Sequence, residues 1–218
     1  MITVERLVFQ YPHSTFTLRV PALSVADGEK VALVGPSGSG KTTLLHLIAG
    51  ILVPDEGAIR VGDAQPPQLS DAARRAFRIA GLGLVFQDFQ LIEYLDVLEN
   101  ILLPYRINPA LRLTGEVRER AGQLARETGI EHRLDHRPGR LSQGEKQRAA
   151  LCRALITQPR YLLADEPTGN LDPAAKTHVL DVLFEQCRRA QSSLLMVTHD
   201  VGLLNRFDRA VNLAEVSR

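Results

Sequence analysis

The chain has 218 residues, with 26 lysines and arginines against 25 aspartates and glutamates and a formal charge of +1. That length buries roughly 70% of the unfolded surface, enough for one domain with a smaller lobe, and the balanced charge leaves no basic footprint for nucleic acid. Cys152 and Cys187 stand far apart, outside any disulfide framework or metal-ligand spacing. No run approaches the ~20 apolar residues of a spanning helix, and Met1 to Arg6 carries no signal-like apolar region. The expectation is a soluble, cytoplasmic chain that reaches a membrane only through a partner.

Residues 2–9 and 15–25 alternate apolar and polar types and read as half-buried antiparallel strands. Tyr11-Pro12 marks the turn between them, and Asp27-Gly28 the next. Val31 to Val34 is a short buried strand, and Leu44 to Ala49 a helix ending at Gly50. Pro54 to Gly57 reads as a turn before a strand from Ala58 to Val61, and Ser70-Asp71 as the cap of a basic helix through Arg78. Gly83 to Phe86 is a strand ending at Gln87.

From 88 to 154 the pattern is helical. Asp96 to Tyr105 is an apolar helix stopped near Pro104. Thr114 to Thr128 sets Val117, Ala121, Leu124, Ala125 and Thr128 on one face before Gly129. Leu141 to Glu145 opens a helix to about Thr157. Tyr161 to Ala164 is a buried strand, and Asp172-Pro173 starts a helix to about Ala190 as an N-cap followed by proline. Ser193 to Val197 is a further buried strand; a short helix and the strand Ala210 to Leu213 follow. This alternation predicts an α/β fold, a mostly parallel sheet with a helical lobe inserted.

The stretch Gly35-Pro36-Ser37-Gly38-Ser39-Gly40-Lys41-Thr42-Thr43 fits G-x-x-x-x-G-K-[ST], set between a strand and a helix as that motif requires. Its glycines let the backbone curl so that N–H groups and the helix N-terminus face a polyphosphate. Lys41 reaches the β and γ phosphates, Thr42 offers a hydroxyl to Mg²⁺, and Thr43 bonds a further phosphate oxygen. Asp165 and Glu166 end a buried strand. Adjacent acids there are costly unless a cation or a proton transfer uses them, so Asp165 is the candidate to hold Mg²⁺ and Glu166 the candidate base for water. Ser142 to Glu145 reads both as a capping box and as an anion site. It lies far from Lys41 along the chain, so the two need not serve the same phosphate within one molecule.

Taken together these words resemble the ATP-binding cassette (ABC) ATPases over essentially the whole chain. The family's motifs appear in its order: the phosphate loop, Gln87, the signature Leu141 to Glu145, the strand ending Asp165-Glu166, the loop Asn170-Leu171-Asp172, and His199. The word Asp165-Glu166-Pro167-Thr168-Gly169-Asn170-Leu171-Asp172 resembles the subgroup of macrolide exporters, lipoprotein-release ATPases and the bacterial cell-division ATPase.

The resemblance implies a P-loop (RecA-like) core, at about 1–87 and 155–218, with an antiparallel β subdomain and a helical subdomain at about 88–154, all one nucleotide-binding domain. It also implies ATP and Mg²⁺ as cofactors and assigns roles. Tyr11 stacks on adenine. Gln87 coordinates Mg²⁺ and senses the γ-phosphate, and His199 contacts that phosphate. Ser142 and Gly144 bind the γ-phosphate held by a second subunit, and Asp172 lies in the loop that crosses a head-to-tail homodimer. The region from Leu91 through Tyr105 forms a groove for a membrane permease, which would hold the protein at the cytoplasmic face of a bacterial inner membrane.

The signature departs from Leu-Ser-Gly-Gly-Gln at Gln143 and Glu145 but keeps Ser142 and Gly144. The competing readings are a soluble ABC ATPase acting on DNA or ribosomes, a nucleotide kinase, and a cassette that binds ATP without turnover. Compact size and near-neutral charge weigh against the first, the signature and His199 against the second, and Lys41, Asp165, Glu166 and His199 together against the third. The short stretch after His199 is expected to leave no room for an added regulatory domain.

Overall fold

The computed structural model of the chain describes residues 1–169 and 171–216. Two strands open it, β1 (Ile2–Gln10) and β2 (Thr17–Val25), antiparallel from Ile2 opposite Val25 to Gln10 opposite Thr17. Their alternation works as a sorting rule. Ile2, Val4, Leu7 and Phe9 of β1 and Leu18, Val20, Leu23 and Val25 of β2 are buried, with mostly polar neighbours left toward solvent. Next come β3 (Lys30–Val34), α1 (Lys41–Ile48) and β4 (Glu56–Val61), which returns to pair antiparallel with β1. β4 begins at Glu56, inside the stretch expected to be turn. The reason is a bulge: β1 shifts register around Arg6 (φ +48), and Gly57 (φ +92) packs against it so closely that a Cβ would lie 2.4 Å from the Arg6 carbonyl oxygen.

The chain continues through α2 (Asp71–Gly81), β5 (Leu82–Val85), α3 (Val97–Ile107), α4 (Gly115–Glu127), α5 (Gln143–Leu155), β6 (Tyr161–Asp165), α6 (Pro173–Ala190), β7 (Ser193–Val197), β8 (Arg209–Asn212) and α7 (Leu213–Val216). Strands β5-β6-β7-β3-β8 form an all-parallel sheet in that order. Because helices cover both faces, β6 and β7 are buried at every residue.

The period of two divides the sheet between two cores. Val31, Leu33, Leu163, Leu195 and Val197 face a cluster shared with α1 and the antiparallel sheet. Ala32, Leu162, Ala164, Leu194 and Met196 face one shared with α3, α4, α5 and α6. Local caps start the helices. Ser70 accepts from the Ala73 amide, Asp96 from Glu99, Thr114 from Val117, and Asp172 from Ala174 and Ala175.

One expectation fails in α3, which runs through Pro104 to Ile107 instead of stopping there. Pro104 forfeits its own donor to Asn100, but the turns on either side stay closed, with Asn100 N–H on the Asp96 carbonyl at 3.0 Å and Asn108 N–H on the Pro104 carbonyl at 3.2 Å. Among the described residues no helix is long and apolar enough to cross a membrane.

Candidate functional site

β3 delivers the chain to the sheet's C-terminal edge, where Gly35 (φ +150), Gly38 (φ +77) and Gly40 (φ +95) turn it into α1. Gly40 is the N-cap of α1, left-handed and without a side-chain cap, so the first-turn amides stay open to an anion. A Cβ on Gly40 would sit 2.9 Å from both Leu18 and Phe16. Lys41 is buried, and its Nζ donates to the Gly35 and Pro36 carbonyls at 2.9 and 2.8 Å. Ser39 Oγ is buried with no partner. Tyr11 lies across the same mouth. Its hydroxyl is 3.2 Å from Thr43 Oγ1, and its ring packs edge-on against Phe9 at 4.8 Å.

Thr42 Oγ1 donates to Asp165 Oδ2 at 2.6 Å, while Asp165 Oδ1 is buried without a partner. An orphaned buried acceptor costs about 1–3 kcal/mol, and a hard cation seeks such an oxygen pair. The Thr42–Asp165 pair therefore fits a bound divalent ion. Among the described residues there is no cluster of three or more histidine, cysteine or acidic groups that could hold a metal by itself.

Glu166 follows in a left-handed conformation (φ +50), a strained state of about 1–3 kcal/mol for a non-glycine residue. The surroundings hold it there. Its N–H donates to the Val197 carbonyl at 3.1 Å, and its own carbonyl accepts from Gly169 N–H at 3.1 Å and from the buried Gln147 Nε2 at 3.0 Å. The carboxylate points back to His199, whose Nε2 is 2.6 Å from Oε1. Just beyond, Lys176 is paired with Asp200 at 3.2 Å.

A cleft of about 540 Å³ gathers Tyr11, Ser37, Gly38, Gly40, Lys41, Thr42, Thr43, Gln87, Glu166 and His199. Of the other candidates, Gly35, Pro36 and Ser39 form the back of the loop and Asp165 lies buried beneath Thr42. Gln87 sits in a turn two residues past the end of β5.

Three candidates lie outside the cleft. Ser142 is the exposed N-cap of α5, and Gly144 lies in the first turn. Asp172 is occupied as the cap of α6, and Asn170 lies outside the described residues. The capping box is complete, with the Ser142 amide on Glu145 Oε2 at 2.7 Å and the Glu145 amide on Ser142 Oγ at 3.3 Å. Arg133 Nε reaches Glu145 Oε1 at 2.6 Å. Burial alone would push the Glu145 carboxyl up, but the Ser142 amide and the Arg133 guanidinium hold it down at about 2.

Sequence reasoning missed Phe16, which lines the cleft, and Gln147, which braces Glu166. Phe16 looked like one more apolar residue in an alternating strand. Gln147 had a weak signal, an amide on the buried face of a helix that could not leave its nitrogen unpaired.

A parallel sheet with phosphate loop, acidic strand end and histidine converging at one edge defines a P-loop ATP-hydrolysing cassette. The family model described as ABC transporter matches residues 18–169. The chain is 46% identical over 218 residues to the lipoprotein-releasing system ATP-binding protein LolD of Cereibacter sphaeroides, covering 98% of this chain and 96% of that one. With the protein of the same name in Legionella pneumophila it shares 37% identity over 220 residues, covering 100% and 96%. A dimeric structure of the ABC transporter cassette MJ0796 superposes with a TM-score of 0.90 at 31% identity over 97% of this chain and 94% of that one. The same cassette in a dimeric post-hydrolysis state with ADP and Pi gives 0.89 at 30% identity over the same shares.

The chain belongs to the ABC transporter family. It is an ABC ATPase, the ATP-binding and ATP-hydrolysing subunit of a membrane transporter.

Proposed function

We propose that the chain is a single nucleotide-binding domain, core and helical subdomain together, that hydrolyses ATP between two copies of itself to drive a lipoprotein-extracting permease. The observation that carries this reading is the split of the candidate residues. One cleft gathers the phosphate loop, Gln87, Glu166 and His199, while Ser142 and Gly144 lie outside it at the N-terminus of α5.

In the cleft, the open amides of α1 receive the phosphates, and Lys41 exchanges the Gly35 and Pro36 carbonyls for the β and γ oxygens. Thr43 bonds a further phosphate oxygen, and the face of Tyr11 packs on adenine. Thr42, Asp165 and Gln87 would hold Mg²⁺, which supplies positive charge against the oxygens that become negative as the γ-phosphoryl departs. Glu166 takes the proton of the attacking water, and His199, already in contact with Glu166, orients that water and the γ-phosphate.

Ser142 and Gly144 bind the γ-phosphate held by the partner copy, with Asp172 beside the two-fold interface. ATP then favours the closed pair because it bonds both subunits, and loss of the γ-phosphate removes that preference. The permease docks in an apolar groove of about 340 Å³ lined by Leu82, Leu84, Phe86, Ile92, Leu103 and Ile107. Ile107 is 56% exposed there and Tyr94 nearby 76%. Such docking would hold the protein on the cytoplasmic face of the inner membrane. Lipoprotein release as the task is supported by the full-length similarity to LolD proteins.

The test is capture of the full chain as Glu166→Gln from membranes solubilised with ATP and Mg²⁺. Recovery of a permease with a large extracytoplasmic domain is the expected outcome. Recovery of ribosomes or DNA-processing proteins without a permease would overturn it.

A further inference from the structure

The N-terminus of α5 is built around a carboxylate at the place where an anion is to bind. A helix N-terminus carries about half a positive charge. Glu145, buried in the first turn, carries a full negative one. On their own these two sum to a site that repels phosphate. The capping box uses the Glu145 amide, while the amides of Gln143 and Gly144 have no acceptor among the described residues. Ser142 Oγ accepts from the Glu145 amide, and its own hydroxyl is engaged by the Glu145 carboxylate. The open donors for a phosphate are therefore the Gln143 and Gly144 amides, and Glu145 sets a negative charge beside them that a neighbouring cation must offset.

Arg133 does so. It comes from the 3₁₀ turn Glu131–Arg133 ahead of α5 and donates Nε to Glu145 Oε1 at 2.6 Å. His132 Nε2 is 3.7 Å from the same oxygen, but its side chain is 62% exposed and lies beyond hydrogen-bond distance. We propose that Arg133 is a positioning residue for the partner subunit's nucleotide: it cancels the charge of Glu145 and turns the capped N-terminus of α5 into a site that attracts a triphosphate. The proposal rests on the reading that Ser142 and Gly144 meet the partner's γ-phosphate. It gives Glu145 a use that the family's glutamine lacks, a rigid anchor for an added cation beside the interface.

The experiment measures the ATP concentration that half-dimerises the full-length protein in the Glu166→Gln background, by analytical ultracentrifugation at about 50 mM and 500 mM salt. Arg133→Ala is expected to raise that concentration at least tenfold at low salt and less at high salt, because Glu145 is buried but the triphosphate it repels approaches through solvent, where salt screens the encounter. Arg133→Ala with Glu145→Gln is expected to return within about threefold of the parent, since removing the carboxylate removes the need for its counter-charge. Arg133→Lys should fall between.

A loss that is the same at both salt concentrations, or a double variant as impaired as Arg133→Ala, overturns the proposal. If Arg133→Ala does not fold, Glu145→Gln alone decides. With Arg133 retained it adds net positive charge and should tighten ATP-driven dimerisation at low salt, and no tightening sinks the idea. Ser142→Ala separates the two claims. If it dimerises normally, the reading of the signature has failed; if it is impaired while Arg133→Ala is not, that reading stands and the role of Arg133 falls.

Discussion

The two helix N-termini proposed to receive phosphate are finished in opposite ways. α1 begins at a left-handed glycine with no side-chain cap and no acid in its first turn. Around it Ser39 Oγ and Asp165 Oδ1 are buried without partners, and Lys41 makes do with backbone carbonyls. α5 begins at a serine with both halves of a capping box closed and an arginine on the capping carboxylate. The first terminus leaves buried side-chain oxygens unpaired, while the second has its capping side chains satisfied and only the Gln143 and Gly144 amides open. The difference follows from where each ligand arrives. A site that binds its nucleotide within one subunit can leave donors and acceptors open, because ATP fills them. A site that meets its ligand only across an interface spends part of its life facing water, and it must be stable in that state.

The strongest way to separate the two termini is to stop the chemistry. Glu166→Gln should lower steady-state phosphate release by about 10²–10⁴-fold, the usual weight of a general base, while leaving nucleotide in the cleft. Radiolabelled ATP should then be recovered unhydrolysed with a protein that sediments as a dimer. Normal turnover would remove Glu166 from its role and leave its contact with His199 a structural one.

Gly40→Ala attacks the open terminus directly. The new Cβ would meet Leu18 and Phe16 at 2.9 Å, and φ +95 is hostile to any side chain. The expected loss is about 1–3 kcal/mol in urea unfolding, with weaker ATP binding because the loop must reshape. Unchanged stability would mean that the loop tolerates a side chain and that its amides are not held open by the glycine. Ser142→Ala is the matching change at the closed terminus. Loss of the cap should cost about 0.5–2 kcal/mol even without nucleotide. A Ser142→Ala protein of parental stability would show that the box does not support α5, and the contrast between the termini would collapse.

How far the molecule could be read from its residues follows the range of each interaction. The caps Ser70 and Asp172 act within four residues of themselves, and they were legible in place. The face of α4 was legible for the same reason, since Val117, Ala121, Leu124 and Ala125 are all buried. Where two distant segments decide together, the reading stopped. Gly57 is in a strand because Arg6 bulges toward it. Gln147 braces Glu166 from nineteen residues away, and Arg133 finds Glu145 across two turns. Pro104 misled in the other direction, because the loss of its one donor does not stop a helix whose neighbouring turns stay closed.

The smallest test of the contrast is acid. Glu145 is held at about 2, below its ordinary value of 4.5, by the Ser142 amide and Arg133. A carboxyl lowered on folding contributes stability that is fully present above its unfolded value and is lost as pH falls toward its folded one. The closed terminus should therefore weaken from about pH 4.5 downward. Between pH 6 and pH 4 the share due to Glu145 is about 0.5–1 kcal/mol, the upper figure following from the two values and the lower allowing for solvent screening. Unfolding midpoints of the parent and of Glu145→Gln, compared at the two pH values, isolate it: the parent should lose more than the variant. Parallel losses would mean that Arg133 and Ser142 do not hold the carboxylate in solution, and that the terminus of α5 is no more finished than that of α1.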